Sequence, residues 1–257
     1  MPRVALVLPP LALVLTACGG SGGSKPTTSA STGAVQSPPR VGFVDNTIAR
    51  TSKVPVHTAF SGVVTTSGQT VRLSGSGDVD PKSQRGSMHM SISLAGQRVP
   101  FDEVFDSKTV YVSSTFLQSF LPSGKKWLEV SLASASNLGA AGFALTSQPG
   151  AVPPLKDVQS LGGGKYSGRV DAAKLSPAEQ AAVSRTHVKF GAIDVWIGAD
   201  SYVHRVEVRS SSSAGGKTAR IVLTTTMSNF GKPIHVTTPP ASETVNANSL
   251  SIPGFSS

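Results

Sequence analysis

The sequence predicts an α+β fold with one large antiparallel sheet, on three observations. Several segments alternate apolar and polar residues, which is the pattern of a strand with one buried face. Short segments of turn-forming residues separate consecutive strands, so neighbours along the chain are expected to pair in the sheet. Only a few segments have helical spacing. Runs of neighbouring strands with a few separate helices are typical of this class.

The first predicted element is a short amphipathic helix. Val44 and Ile48 are four residues apart, and the helix is expected to stop near Pro55. The segments "VHTAFSGVV" and "TVRLSGSGDVD" follow as two predicted strands. Ser67 and Gly68 between them predict a hairpin turn.

The clearest alternation lies in "SMHMSISLAGQRVPF", where one face is apolar and the other carries serines and a histidine. The apolar residues are Met88, Met90, Ile92 and Leu94. The segments "TVYVSS" and "KWLEVSL" predict further strands. Between them, "TFLQSFLPSG" places Phe116 and Phe120 at helical spacing and predicts a helix that ends at Pro122.

The second half of the chain has a weaker pattern at first. Residues 133–164 are rich in Ala, Gly and Ser and predict short helices and loops. "KYSGRVDAAKL" predicts a strand, and "SPAEQAAV" a helix with Ser176 as N-cap and Glu179 completing a capping box. "HVKFGAIDVWIGADSYVHRVEVRSSSS" predicts a hairpin that turns near 198–201, and "KTARIVLTTTMSNFGKPIHVTTPP" a last strand pair. The expected total is about ten strands and three or four helices.

The N-terminus has the three parts of an export signal: a single Arg3, an apolar run from Val4 to Leu15 and small residues before Cys18. That run has 12 residues and two prolines, whereas a membrane-spanning helix needs about 20 apolar residues. Cys18 is the only cysteine, so it has no internal disulfide partner. Leu15 to Cys18, "LTAC", resembles a bacterial lipobox, which implies that Cys18 carries the lipid and becomes the first residue after cleavage.

Three regions are therefore expected: a signal peptide (1–17), a lipidated cysteine with a flexible tether (18–40) and a single domain (41–257). In the segment 19–40, 16 of 22 residues are Gly, Ser, Thr or Pro, a composition too polar to form a core. The net charge is +9, or +8 once Arg3 is removed. A basic domain beside a bilayer would be attracted to anionic headgroups or wall polymers. The basic residues are scattered and accompanied by no motif, so nucleic acid is not expected as a partner.

The residues predict no enzyme and no cofactor. The five histidines are scattered without an HExxH pair, and no Gly-x-Ser-x-Gly motif occurs. Two carboxylate pairs, Asp78 with Asp80 and Asp102 with Glu103, have the residue types of a glycosidase, but each is predicted to be a solvated turn. No metal site is expected.

The order of several segments resembles the actinobacterial LppX/LprG-type lipoproteins, whose fold is similar to that of LolA and LolB. The matching segments are the lipobox and tether, "VPVHTAFSGVV", "KTVYVSS", "KKWLEVSL", "PPLKDVQSLGGGKYSGRVDAAKL", "IDVWIG" and "MSNFGKPIHVTTPPA". Together they extend over nearly all of 41–241. The chain departs from the family at Ala199 to Tyr202, where an acidic-Gly turn leading to an arginine is usual; here Arg205 takes the partner position.

The resemblance implies a curled antiparallel sheet, a half-open barrel, with helices over its concave face and an apolar cavity for acyl chains. The residues expected to line that cavity are Met88, Met90, Ile92, Leu94, Phe116, Phe120 and Phe143. It also implies a lipoprotein on the extracytoplasmic face of the cell membrane that carries a lipid, a glycolipid or an acylated molecule, with an envelope transporter or acceptor protein as a partner. A membrane-tethered sensor or protein-interaction module of the same fold is the alternative. A filled core would have the same apolar pattern.

Overall fold

The computed structural model describes residues 42–66, 68–131, 152–175, 188–214 and 217–250, together with residues 177, 180, 183 and 184. These residues form one twelve-stranded sheet. The strands are β1 (Val56–Thr66), β2 (Gln69–Asp80), β3 (Arg85–Leu94), β4 (Gln97–Phe105), β5 (Thr109–Ser113), β6 (Trp127–Ser131), β7 (Leu155–Gly162), β8 (Lys165–Val170), β9 (Lys189–Ile197), β10 (Val203–Ala214), β11 (Lys217–Ser228) and β12 (Thr244–Asn246). The α-helices are α1 (Phe43–Thr51) and α2 (Thr115–Gln118), and 3-10 turns occur at Ala172–Lys174, Ala241–Glu243 and Ala247–Ser249.

The sheet consists of two antiparallel meanders, β1–β6 and β7–β11, and the edge strand β12. Its strand order is β12-β6-β5-β4-β3-β2-β1-β11-β10-β9-β8-β7. All neighbours are antiparallel except β12 and β6, which pair in parallel. Because β12 and β7 are edge strands that do not pair with each other, the sheet is open. The prediction of one large antiparallel sheet is confirmed.

Residues with positive φ angles form the turns between the long strands. At the β3–β4 hairpin, Ala95 and Gly96 have φ angles of 51° and 81°, a geometry that matches the twist of the flanking strands. Gly68, before β2, has a φ of 87°. Between β9 and β10, Ser201 has a φ of 58° and Asp200 Oδ1 accepts a hydrogen bond from the Tyr202 amide at 3.2 Å. The hairpins predicted at Gly68 and near 198–201 are therefore present, and the β3–β4 hairpin is an additional turn that the sequence analysis did not predict.

The strand registers divide the sheet into two faces. On the first, which we call the apolar face, buried side chains recur at every second position and align from strand to strand through paired residues. Representative residues of the apolar face are Val56, Val79, Met88, Leu128, Val195 and Met227. The other face carries charged and hydroxyl side chains and is called the polar face. The alternation read from the sequence thus separates the two sides of the sheet.

Two clusters of buried residues lie at opposite ends of the apolar face. The first joins α1 to strands β7–β11, with Val44 of the helix packed among Ile193, Val195 and Met227. The amide of Val203 donates a hydrogen bond of 3.0 Å to Thr51 Oγ1, which fixes the end of α1. The second cluster joins β6 to the C-terminal segment and contains Leu128, Val130 and Ala247.

Some expected elements differ from the structure. The helix predicted to extend to Pro122 is a single turn, Thr115–Gln118, capped where Ser114 Oγ accepts a 3.0 Å hydrogen bond from the Leu117 amide. The prediction of loops up to residue 164 is wrong for Leu155–Gly162, which is a strand paired with β8. The prediction of a last strand pair is also wrong, because only β11 forms and residues 232–240 have no strand pairing.

The helix predicted from "SPAEQAAV" is described only in part. Pro177, Gln180, Val183 and Ser184 have helical backbone. Its predicted cap, Ser176, and the capping-box residue Glu179 lie outside the described residues. The observed strands number twelve, two more than expected.

Candidate functional site on the apolar face

The centre of the apolar face, formed by β1 to β5, lies between the two core clusters in strand order. Met88 and Met90 of β3 are buried, at 1% and 8% exposure, yet neither belongs to either of the two clusters formed by the described residues. Several apolar neighbours are only half-buried. These are Phe60, Val64, Val71, Leu73, Ile92, Val99, Phe101, Phe105, Val110 and Val112. The centre is therefore a wide apolar surface with flexible methionine side chains in its middle.

Three glycines at this centre allow backbone and rings to approach closely. A β-carbon on Gly77 would lie 2.0 Å from the backbone oxygen of Ser87. At Gly75 it would lie 2.8 Å from the Phe60 ring, and at Gly86 2.5 Å from the Phe105 ring. Glycines inside strands permit sharp bending and close ring-to-backbone contact. The strands β2 and β3 can therefore bend here in a way that side chains would prevent.

Glu103 is an ionisable residue on this apolar surface. Its register partners are Met88 on β3 and Val112 on β5, so it lies on the apolar face although it is ionisable. The residue is 7% exposed, and within the described ranges no hydrogen bond or ion pair reaches its carboxyl group. Burial raises the pKa of Glu103 from 4.5 to about 7, because removal from water disfavours the charged form.

A second polar group without a partner lies in the same row. Thr58 pairs with Gly77, Gly77 pairs with Met88, and Met88 pairs with Glu103, so the four residues form one line across β1 to β4. Thr58 is fully buried, and its Oγ1 has no hydrogen-bond partner in the structure. Three strand spacings of about 4.8 Å place Thr58 and Glu103 roughly 14 Å apart. The apolar face thus has two unpaired polar groups near its middle.

The polar face differs from this arrangement because its two histidine–aspartate pairs are in contact. His57 Nδ1 lies 2.8 Å from Asp78 Oδ1, and His89 contacts Asp102 in the same manner. Asp78 and Asp102, predicted to lie on solvated turns, are strand residues on this face.

A mixed group of charges and an aromatic ring occupies the polar face of β8 to β10. Asp194 is buried, and its carboxylate accepts a 2.7 Å hydrogen bond from Ser167 Oγ and lies 3.0 Å from Lys165 Nζ. Burial raises the pKa of Asp194, but its contacts with Ser167, Lys165 and Arg209 together outweigh burial, so the pKa lies below its usual value. Lys165 and Arg205 lie 4.8 and 4.6 Å from the centre of the Trp196 ring. These contacts stabilise the sheet and leave no unpaired carboxylate at this position.

The cavity residues predicted from the sequence fall in different places. Met88 and Met90 are buried on the apolar face, Ile92 is half-buried there, and the Leu94 backbone pairs with Val71 and Gln97. Phe143 and Cys18 lie outside the described residues.

The two phenylalanines of the predicted helix are on the surface. Phe116 and Phe120 are each 45% exposed, and their rings lie edge-on with centroids 5.3 Å apart. Because α2 packs against β4, this exposed pair borders the strand that carries Glu103.

Sequence reasoning missed Glu103 as a functional candidate. The adjacent Asp102 and Glu103 were expected on one solvated turn, but they are consecutive strand residues and point to opposite faces. A usable signal is present in "RVPFDEVF". Val99, Phe101, Glu103 and Phe105 occupy alternate positions, so Glu103 interrupts an apolar row.

The described part of the chain offers neither a membrane-spanning helix nor a metal site. None of its helices has both the length and the apolar character needed to cross a bilayer. In the same residues, no group of three or more His, Cys, Asp or Glu side chains is arranged to hold a metal ion.

No protein-family model matches the chain, and no curated protein matches it. Among solved structures, it is similar to an uncharacterized conserved protein from Thermus thermophilus, with 12% identity, a TM-score of 0.35, and coverage of 80% of this chain and 98% of that one. A DUF1329 family protein from Desulfovibrio piger matches with 8% identity and a TM-score of 0.31, over 79% and 96% of the two chains. The ywiB protein from Bacillus subtilis matches with 8% identity and a TM-score of 0.20, over 69% and 94%. Similarity at this level assigns no family to the chain.

Proposed function

We propose that this protein is a cell-envelope lipoprotein that binds the acyl chains of a lipid, a glycolipid or an acylated molecule against its apolar face and carries that ligand at the membrane surface. The observation that carries the proposal is the wide centre of the apolar face, which lies between two separate core clusters. An acyl chain gains roughly 0.8 kcal/mol for each methylene removed from water. A surface of this width would therefore bind long chains well.

The shape proposed for the site is a half-open barrel in which the sheet curls around the ligand and helices cover the concave side. The open strand order and the interior glycines Gly75, Gly77 and Gly86 support this curvature. Met88 and Met90 would line the ligand space, because their unbranched side chains adapt to chains of different shape.

The route of the ligand would pass the exposed aromatic pair Phe116 and Phe120. Both rings are accessible to solvent beside β4, and phenylalanine occurs on the apolar face of segments that lie in the surface of a bilayer. The lipid proposed for Cys18 and the excess of basic residues would hold the domain beside an anionic bilayer. Contact of these rings with the bilayer would bring the apolar face close to its ligand.

Extraction of the purified full chain with organic solvent, followed by mass spectrometry, tests the proposal. The protein is released from membranes in mild detergent, and a lipidated protein with no apolar face of this kind is purified in parallel as the control. Acyl lipids enriched reproducibly over the control support the carrier. Their repeated absence contradicts it and favours the sensor or interaction module.

A further inference from the structure

Among the residues that the structure describes, none forms a hydrogen bond or an ion pair with Glu103 that would explain its place on the apolar face. Its neighbours across the sheet are Met88 and Val112, and its neighbours on the same face of β4 are Phe101 and Phe105. The nearest acidic residue in sequence, Asp102, is on the polar face with His89. Within the described ranges, β3, β5 and β4 present only apolar side chains and a glycine, Gly86, toward Glu103, and the buried residue of α2, Leu117, is also apolar.

An unpaired carboxyl group in such surroundings destabilises the folded protein. A buried polar group that makes no hydrogen bond loses its hydrogen bonds to water and gains none in return, which lowers the stability of the folded protein. A leucine at this position would not carry that penalty. Ionisable groups that are buried without partners are concentrated at functional sites. Thr58, in the same row, also has a buried oxygen with no partner. The centre of the apolar face therefore contains hydrogen-bonding groups that the fold itself does not use.

We propose that Glu103 hydrogen-bonds an uncharged hydroxyl group at the polar end of the bound lipid, so that the site selects hydroxyl-bearing neutral lipids over anionic ones. This inference rests on the proposed lipid-binding function. A hydroxyl group both donates and accepts, so it pairs with the ionised and with the protonated carboxyl group. A fatty-acid carboxylate or a phosphate would meet a like charge in a medium of low polarity, which disfavours its binding.

The test uses the full chain in mild detergent and two lipids labelled with a fluorophore on the acyl chain: a diacylglycerol, which has one free hydroxyl, and the phosphatidic acid with the same two acyl chains, which has an anionic phosphate there. Affinities are measured at pH 8. The wild-type protein is expected to bind the diacylglycerol about tenfold more tightly than the phosphatidic acid. Glu103→Leu is expected to weaken diacylglycerol binding about tenfold and to remove the preference.

Two variants separate the hydrogen bond from general packing. Glu103→Gln keeps a hydrogen-bonding amide of the same shape and is expected to stay within about threefold of wild-type affinity for the diacylglycerol. Val112→Leu, an apolar change at the register partner, is expected to retain the lipid preference. Glu103→Leu removes an unpaired buried carboxyl group, so its melting temperature is expected to equal or exceed that of the wild type, and loss of folding does not confuse the result.

The outcomes are distinguishable. Equal diacylglycerol binding by the wild type and Glu103→Leu, or a wild-type preference for the phosphatidic acid, overturns the role of Glu103 while the lipid-carrier function stands. Failure of the wild type to bind either probe overturns the carrier function, and the inference with it.

Discussion

Glu103 lies directly opposite Met88 in the antiparallel register of β3 and β4, so an ionisable side chain and a fully buried thioether occupy neighbouring positions on one apolar surface. This juxtaposition links stability to pH. The pKa of Glu103 is about 7 in the folded protein, against 4.5 ordinarily. Between these values the folded state binds more protons than the unfolded state, so the contribution of Glu103 to stability is most favourable below pH 4.5 and is lost as the pH rises through 7.

The first prediction concerns this pH dependence. The stability of the wild type relative to Glu103→Gln is expected to fall by about 3 kcal/mol between about pH 4.5 and pH 8, because each pH unit of pKa shift corresponds to about 1.36 kcal/mol. Urea unfolding of both proteins across this pH range measures the difference in their free energies of unfolding. Asp194 and the other titrating groups are common to both proteins, so they cancel in the difference. A difference that does not change with pH contradicts the burial of the carboxyl group.

A second prediction tests the close approach of β2 and β3. Gly77→Ala is expected to lower the free energy of unfolding by about 2–3 kcal/mol, because the added β-carbon would meet the Ser87 backbone oxygen, which cannot rotate away. Ser76→Ala, on the polar face of the same strand, is the matched control and should change stability by less than about 1 kcal/mol. Equal stability of the two variants in urea unfolding would show that the strands have room at Gly77.

The third prediction distinguishes a ligand space from a filled core at Met90. If the apolar face holds a ligand, Met90→Lys is expected to stay folded by circular dichroism and to lose binding of a fluorescent acyl probe, because the ammonium group enters the acyl space. Ser93→Lys, on the polar face of the same strand, should retain binding. An unfolded Met90→Lys protein together with a wild type that binds no probe would identify a solid core, where an unpaired charge is strongly destabilising.

A fourth prediction concerns the exposed aromatic pair. Replacement of Phe116 and Phe120 by serine is expected to shift the melting temperature by no more than a few degrees, because both side chains are already 45% exposed. Transfer of a labelled diacylglycerol between vesicles should slow several-fold, since two apolar rings proposed to enter the bilayer surface are lost. Thr115→Ala with Gln118→Ala, exposed on the same helix, should leave the transfer rate unchanged. An unaltered rate in the serine variant excludes the pair from transfer.

The fifth prediction concerns the proposed lipid attachment at Cys18. Cys18→Ala is expected to yield protein that no longer enters the detergent phase, because the chain has no other cysteine to modify. Metabolic labelling with a fatty acid measures the modification directly. Incorporation of label into Cys18→Ala would contradict attachment at this residue.

Most strands of the two meanders could be predicted because their alternation is local and because a turn such as the one at Gly68 contains a glycine, which adopts a positive φ readily. Met88 and Met90 were placed correctly on a buried face for this reason. The strand Leu155–Gly162 was missed because it is short of alternating apolar residues and its pairing with β8 contains two register shifts. Residues 232–240 were predicted to pair with β11 but have no strand pairing. Whether a strand finds a partner depends on the whole sheet, so a local sequence pattern does not reveal it.

The candidate site was only partly predictable. Adjacent acidic residues such as Asp102 and Glu103 resemble a solvated turn until the strand is located, after which the period of two separates them. Phe116 and Phe120 have helical spacing, but α2 ends after one turn and leaves Phe120 beyond it, so both rings are exposed. The unpaired hydroxyl of Thr58 is a consequence of tertiary burial and has no counterpart in the sequence.

The β1–β11 pairing has a consequence for how the protein folds. All other antiparallel neighbours are consecutive along the chain, whereas contacts across this junction, such as Thr226 Oγ1 to the Ala59 carbonyl, join residues 167 positions apart. Hairpins form early because their loops are short, and a closure of this length is slow. The two meanders are thus expected to form as separate units and to join last at this seam. Until then the edges of β1 and β11 are both unpaired, which makes this the stage most exposed to aggregation.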